Sequence, residues 1–197
     1  MVNSYSKKFI LTLTDAFYSH EILESFLLLL DRLFVNKFIS EKTFEFQILN
    51  ASLDSQFISR INVQKTIRYL RGDPKEINIQ RSLQNSHAFL FIQRAEGKGF
   101  ISNRFYEFVT CQKKVLALVP NTSTFEELTR ELPEVYCADI RSPFSICSAF
   151  IQMFSDWEKQ CQIELWQTLL LPEWKTDFQT SHPMGIHNRL TATKIPL

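Results

Sequence analysis

Short apolar runs alternate along the chain with longer segments whose apolar positions recur at helical spacing. Runs of this kind, apolar nearly throughout, are typical of strands buried on both faces of a parallel sheet. The predicted strands are Lys8–Thr14, Phe44–Asn50, Thr66–Gly72, Ala88–Gln93, Lys114–Pro120 and Val135–Asp139.

Helices are predicted between these runs. The longest covers His20–Phe38, where Ile22, Leu23, Phe26, Leu30, Leu33 and Phe34 share a helical face. Further helices are expected at about Asp54–Val63, in Lys75–Ser86 with Ile77, Ile79 and Leu83 available for burial, at about Asn103–Cys111, in Thr124–Leu132, and from Pro143 to about Leu171, with the tail from Pro172 adding another. Thr124 and Glu127 have the spacing of a capping box at the start of their helix.

Strands that each lead into a helix predict a doubly wound α/β fold, with a six-stranded parallel, Rossmann-like sheet. The expected order of the strands across the sheet, numbered along the sequence, is 3-2-1-4-5-6. In sheets of this order, ligands bind beyond the carboxyl ends of the two central strands, the first and the fourth. The loops at that point are Asp15–Ser19 and Arg94–Ser102. We expect one such domain over residues 1–171 and a helical tail over residues 172–197.

The composition of the chain limits the kinds of partner that are expected. The chain has 197 residues, 45% of them hydrophobic, and 22 basic side chains against 21 acidic ones, a net charge of +1. This balance gives no overall footprint for nucleic acid. The four cysteines show no C-x-x-C spacing, and the histidines show no metal-binding spacing, so we expect neither a disulfide framework nor a metal. The start of the chain does not resemble a signal peptide and the longest apolar run, Phe26–Leu30, is too short to cross a membrane; a cytoplasmic protein is expected.

The loop after the fourth strand contains Gly97 and Gly99, two of only four glycines in the chain. It precedes a helix N-terminus, where backbone N–H groups and the helix dipole favour an anion such as a phosphate. Lys98 and Arg94 could add positive charge, although a lysine in such a loop is more often only solvated.

The helix that follows this loop is amphipathic. At about 100° per residue, Asn103 and Glu107 project from one side, and Phe105, Phe108 and Val109 from the other. A carboxylate at this position can accept hydrogen bonds from the two vicinal hydroxyls of a ribose. The alternative is that Glu107 is a solvated acid favoured by the helix dipole.

The segment "SHAFLFIQ…EGKGFISNRFYEFVTCQKKVLALVP" resembles the C-terminal, nucleotide-sugar-binding domain of GT-B glycosyltransferases of the broad family 4 group. In that family a strand and loop precede a K-L-F/Y-E-Y-L-A-like helix and a "G-K-P-V-L-A" strand. "LTLTDAFYSHEILESFLLLL" is similar to the first strand and helix of that domain. "PEWKTDF" looks like the segment that crosses back toward the N-terminal domain.

The resemblance implies that Glu107 binds the ribose of a nucleotide. Glu127 matches a downstream acid of variable role. The stretch whose amides approach the donor sugar and phosphates corresponds to Gly99, Phe100, Ile101, Ser102 and Asn103. The other predicted contacts, on the loops after the first, third and fourth strands, are Asp15, Ala16, Gly72 and Lys98.

The chain also departs from the family pattern. Gly99 stands eight positions before Glu107, where the first motif glutamate is expected. Asp15, Ala16 and Phe17 replace a glycine-rich, basic turn, and an acid there repels a diphosphate. The C-G-K-P pattern has become Cys111 to Lys114, without its glycine or proline. These changes predict weakened, altered or lost donor binding.

Two functions are therefore expected. In the first, the chain is the donor-binding half of a glycosyltransferase: it binds a nucleotide diphosphate sugar, uses no cofactor, and needs an N-terminal acceptor-binding domain or a partner subunit for turnover. Peripheral membrane association through such a partner is compatible with this function. In the second, the chain is a non-catalytic Rossmann-like binding or interaction module derived from such an enzyme. No catalytic residue is identified from the sequence.

Overall fold

The structure is a computed structural model that describes residues 8–14, 20–50, 53–73, 76–93, 103–120, 125, 127 and 129–180. Two compact units divide the chain, residues 1–158 and residues 159–197. None of the helices in the described part is long and apolar enough to span a membrane.

A six-stranded, all-parallel sheet forms the centre of the first unit, in the order β3-β2-β1-β4-β5-β6. Its strands are β1 (Phe9–Leu13), β2 (Phe44–Leu49), β3 (Ile67–Leu70), β4 (Ala88–Ile92), β5 (Lys114–Val119) and β6 (Val135–Asp139). The predicted Rossmann-like, doubly wound fold and its strand order are confirmed. The change of direction lies between β1 and β4, where Leu11 pairs with Ala88.

The helices are α1 (His20–Val35), α2 (Ser55–Ile58), a 3₁₀ helix (Asn62–Thr66), α3 (Ile77–Asn85), α4 (Asn103–Thr110) and α5 (Pro143–Thr180). Phe125, Glu127 and Thr129 are also helical. Thr124, the proposed cap of that segment, lies outside the described residues. The helix α5 continues beyond Leu171, where the sequence predicted an end.

Two helix predictions need correction. The single helix expected over Asp54–Val63 is instead two short pieces, because Asp54 caps α2 and Asp31 of α1 accepts the amide hydrogens of Asn62 and Val63 at the start of the 3₁₀ helix. Ile77 is 73% exposed, whereas Ile79 is buried. Residues two apart point to different sides of a helix, so Ile77 and Ile79 cannot share the buried face.

One face of the sheet packs against α1 and the first part of α5 through aromatic side chains. Phe9 of β1 meets Phe154 edge-on, with ring centroids 5.4 Å apart. Phe44 of β2 meets Phe150 in the same way at 5.6 Å, and Phe150 also contacts Phe26 of α1. Edge-to-face geometry is a preferred arrangement of aromatic pairs, so these contacts fix the helices on this face.

The other face carries two hydrophobic clusters. The larger contains Phe89 and Phe91 of β4, Phe105 and Phe108 of α4, and strand β5. The smaller joins the ends of β2 and β3 to α3 through Leu49, Leu70 and Ile79. Leu83 of α3 packs against both clusters, so its side chain lies on the side of α3 that faces α4.

A polar network ties β5, β6 and α5 together. The ammonium of Lys114 donates to Glu134 at 3.1 Å and to the hydroxyl of Tyr136 at 3.3 Å, and that hydroxyl donates to Asp156 at 3.1 Å. Burial by itself would lower the pKa of Lys114, but its hydrogen bonds and the nearby negative charge outweigh burial and raise it. Burial raises the pKa of Tyr136, against the opposing effect of Lys114.

Candidate functional site

A groove lies between α3 and α4 on the face of the sheet that carries the two clusters. Its volume is about 410 Å³. We call its two regions the upper part, lined by Thr14, Leu49 and Glu107, and the lower part, lined by Leu83, Gln84, Phe89, Phe108, Cys111 and Lys113. Thr14 and Leu49 mark the carboxyl ends of β1 and β2, so the upper part opens at the edge of the sheet where doubly wound folds bind ligands.

Glu107 is held on the wall of the groove by the amphipathic pattern of α4. Phe105 and Phe108 are 0% and 5% exposed, whereas Asn103 and Glu107 are exposed. The ring of Phe108 stacks on Phe89 of β4, with centroids 4.5 Å apart, which fixes the rotation of the helix. The predicted orientation of these side chains is therefore confirmed, and the carboxylate reaches the groove.

Thr14 brings a buried hydroxyl to the upper part. Its Oγ1 atom is inaccessible to water and has no hydrogen-bond partner among the described residues. By contrast, Thr12, on the same face of β1, shares a 2.6 Å hydrogen bond with the hydroxyl of Ser86. Leaving a buried polar group unpaired costs about 1–3 kcal/mol, so the hydroxyl of Thr14 destabilises the fold at this point.

Two hydrogen bonds hold the loop after β3 at the same edge of the sheet. The side-chain amide of Asn50 donates to the carbonyl of Gly72 at 2.8 Å, and its oxygen accepts the Gly72 N–H at 3.0 Å. Gly72 has φ +146°, and a Cβ there would lie 2.7 Å from a carboxylate oxygen of Glu76. Only glycine adopts this conformation without strain.

The predicted site residues have different outcomes. Glu107 lines the groove, Asn103 begins α4, and Gly72 lies in the loop after β3 but does not line the groove. The remaining predicted contacts, Asp15, Ala16, Lys98, Gly99, Phe100, Ile101 and Ser102, lie outside the described residues. Their role stays a prediction.

Several groove residues were not identified from the sequence, namely Thr14, Leu49, Leu83, Phe89 and Lys113. A signal for Thr14 was present, since Thr12 and Thr14 alternate on one face of a strand that ends where ligands bind. The other side chains read as ordinary core or surface residues, and only the packing of α3 beside α4 brings them together.

Charge in the groove is divided between its two parts. Glu107 supplies an acid to the upper part, and Lys113 supplies a cation to the lower part, where its ammonium donates to the carbonyl of Gln84 at 3.0 Å. Among the described residues, no three histidine, cysteine, aspartate or glutamate side chains are grouped so as to hold a metal ion.

Neither a protein-family model nor a curated protein sequence matches the chain. Solved structures of similar fold include a UDP-forming alpha,alpha-trehalose-phosphate synthase from Burkholderia xenovorans, with 16% identity and a TM-score of 0.54 over 77% of this chain and 37% of that one. Another is described as "Trehalose-6-phosphate from E. coli bound with UDP-2-fluoro glucose", with 11% identity and a TM-score of 0.51 over 85% of this chain and 44% of that one.

At these identities the likeness concerns the fold. The chain has the Rossmann-like fold found in part of these two structures. The chain spans less than half the length of either structure.

Proposed function

We propose that the chain is a nucleotide-sugar-binding domain of a glycosyltransferase, of the GT-B type and most similar to the C-terminal domain of family 4. The observation that carries the proposal is the position of Glu107, exposed on the wall of a groove that opens at the switch between β1 and β4. The fold likeness adds support, because one of the similar structures is described as bound with UDP-2-fluoro glucose.

In this proposal the upper part of the groove holds the ribose. The carboxylate of Glu107 accepts hydrogen bonds from the two vicinal hydroxyls, which restrain the ring in one orientation. The diphosphate lies against the amides of Gly99 to Asn103, where the dipole of α4 favours negative charge.

The domain contributes donor binding and leaving-group stabilisation to the reaction. As the bond between the sugar and the diphosphate breaks, negative charge grows on the departing phosphate, and backbone amides aimed at that charge stabilise it. The acceptor and any general base come from an N-terminal domain or partner subunit, and the tail over residues 172–197 crosses toward it. The chain alone binds donor without turnover, and we propose that it acts in the cytoplasm.

A thermal-shift titration of the full chain with UDP, GDP, ADP and their sugars tests the proposal. We expect a saturable rise in Tm with one nucleotide, because a ligand that binds only the folded state stabilises it. The rise should be lost in Glu107→Gln and kept in Glu131→Gln, which neutralises an exposed acid after the helical segment that contains Glu127. No shift with any of these ligands up to millimolar concentrations would contradict the proposal.

The second candidate is a non-catalytic binding module that kept the sheet and lost the phosphate chemistry. One structural observation favours it: the floor of the lower part is formed by Leu83, Phe89 and Phe108, which offer no hydrogen bonds to a nucleotide. Absence of nucleotide binding in the thermal-shift titration would leave this function.

A further inference from the structure

We propose that the lower part of the groove binds an amphipathic anion, an apolar chain or ring that carries one acidic group. The size of the groove is the first reason. The upper and lower parts together have a volume of about 410 Å³, which lies within the range of roughly 300–1,000 Å³ in which small-molecule sites occur, and such sites are mainly apolar with a few placed polar groups. This inference goes beyond nucleotide binding and does not depend on it.

The floor of the lower part is hydrophobic. Phe89 and Phe108 stack on each other, and Leu83 packs beside them between the two clusters. These side chains keep a surface facing the groove although their bodies are buried. An apolar ligand body that covers this surface releases water from both, which is favourable near room temperature.

Lys113 selects the charge of the ligand. Its ammonium has three hydrogen-bond donors, and the structure gives it one partner, the uncharged carbonyl of Gln84. No ion pair involves Lys113 within the described part of the chain. An acidic group on the ligand would therefore meet a cation that has donors left and that forms no ion pair with a carboxylate of the described residues.

Glu107 orients the ligand. Glu107 lines the upper part, and its negative charge disfavours a second acid there. The acidic group therefore lies toward Lys113, and the apolar body lies over Phe89 and Phe108.

Calorimetric titration of the full chain with decanoate, below its micelle-forming concentration and without nucleotide, tests the inference. We expect saturable binding with one site. Decanol should bind at least about tenfold more weakly, because its uncharged head group cannot form an ion pair with Lys113. No saturable binding of decanoate, or equal binding of both probes, would overturn the inference.

Variants locate the site. Lys113→Gln keeps an amide donor for the Gln84 carbonyl but loses the charge, and should weaken decanoate binding by about tenfold. Lys65→Gln, on the 3₁₀ helix, is the matched control and should bind as the parent chain does. Cys111→Trp adds volume at an exposed position of the lower part and should block binding with little change in Tm. Unchanged binding in Lys113→Gln or in Cys111→Trp would contradict the assignment.

Because nucleotide is absent from this titration, its outcome is separate from the thermal-shift test of the upper part. Nucleotide binding without decanoate binding would reject only the amphiphile site. Decanoate binding without nucleotide binding would support this site and reject the nucleotide proposal.

Discussion

Thr14 and Glu107 line the same groove, although one directly follows the first strand and the other lies on the helix after the fourth. The pairing of Leu11 with Ala88 makes β1 and β4 neighbours, and their carboxyl ends therefore open at one edge of the sheet. Thr14 has a buried hydroxyl with no partner among the described residues, and Glu107 has an exposed side chain. The carboxylate of Glu107 can accept hydrogen bonds from a polyhydroxylated ligand.

Replacement of Thr14 by valine should increase stability. Valine has nearly the shape of threonine, and the substitution removes a buried hydroxyl that has no partner. We expect the free energy of unfolding to rise by about 1 kcal/mol, measured by urea denaturation.

Thr12→Val is the matched control for that variant, on the same face of the same strand. Here the hydroxyl is bonded to Ser86, and its removal should lower the free energy of unfolding by about 1–2 kcal/mol. Equal losses in the two variants would mean that Thr14 has a partner in solution.

Gly72→Ala should destabilise the chain by about 1–2 kcal/mol, because φ at this position is +146° and alanine adopts such an angle only with strain. A Cβ would also approach the Glu76 carboxylate, so the double variant Gly72→Ala, Glu76→Ala separates the two causes. We expect it to recover only part of the loss relative to Glu76→Ala alone, since the backbone strain persists. Full recovery in the urea titration would assign the whole effect to the contact with Glu76.

Alkaline pH should weaken the Lys114–Tyr136 network. Both groups have a raised pKa in the folded chain, so the folded state keeps protons that the unfolded chain releases. Their contribution to stability is complete below the ordinary values of 10.0 for tyrosine and 10.5 for lysine, and is lost as pH rises through the folded values.

Tyr136→Phe tests this dependence, because phenylalanine keeps the ring and removes the phenol. The variant should lose less stability than the parent chain between about pH 8 and about pH 11, measured by urea denaturation at each pH. Tyr69→Phe, on edge strand β3, is the control and should follow the parent chain. Parallel pH profiles for Tyr136→Phe and the parent would show that the network does not titrate as described.

The positions of the strands could be predicted from the sequence, because buried parallel strands are apolar on both faces and each forms a short apolar run. Their order could be predicted because each strand leads into a helix, as in doubly wound folds. The orientation of Glu107 also followed, since Phe105 and Phe108 define one side of α4. The break between α2 and the 3₁₀ helix did not follow, because it depends on Asp31, a residue of a different helix. Contacts between distant segments override local periodicity there.

The lower part of the groove could not be predicted from the sequence either. Phe89, Phe108 and Leu83 have the spacing of core residues. Their pattern does not indicate that a groove remains between α3 and α4. The sequence indicates for Lys113 only that it belongs to a segment that departs from the family pattern. Its position beside an apolar floor depends on the turn that joins α4 to β5.

The measurement that tests the nucleotide site most directly is a calorimetric titration of the parent chain, Glu107→Gln and Glu131→Gln with the nucleotide that gives the largest thermal shift. A carboxylate that accepts two ribose hydroxyls contributes strong, charge-assisted hydrogen bonds, so Glu107→Gln should bind at least about tenfold more weakly while Glu131→Gln is unchanged. The 2′,3′-dideoxy form of the nucleotide should bind the parent chain and Glu107→Gln equally weakly. Equal affinity of the parent chain and Glu107→Gln for the natural nucleotide would contradict the proposed role of Glu107.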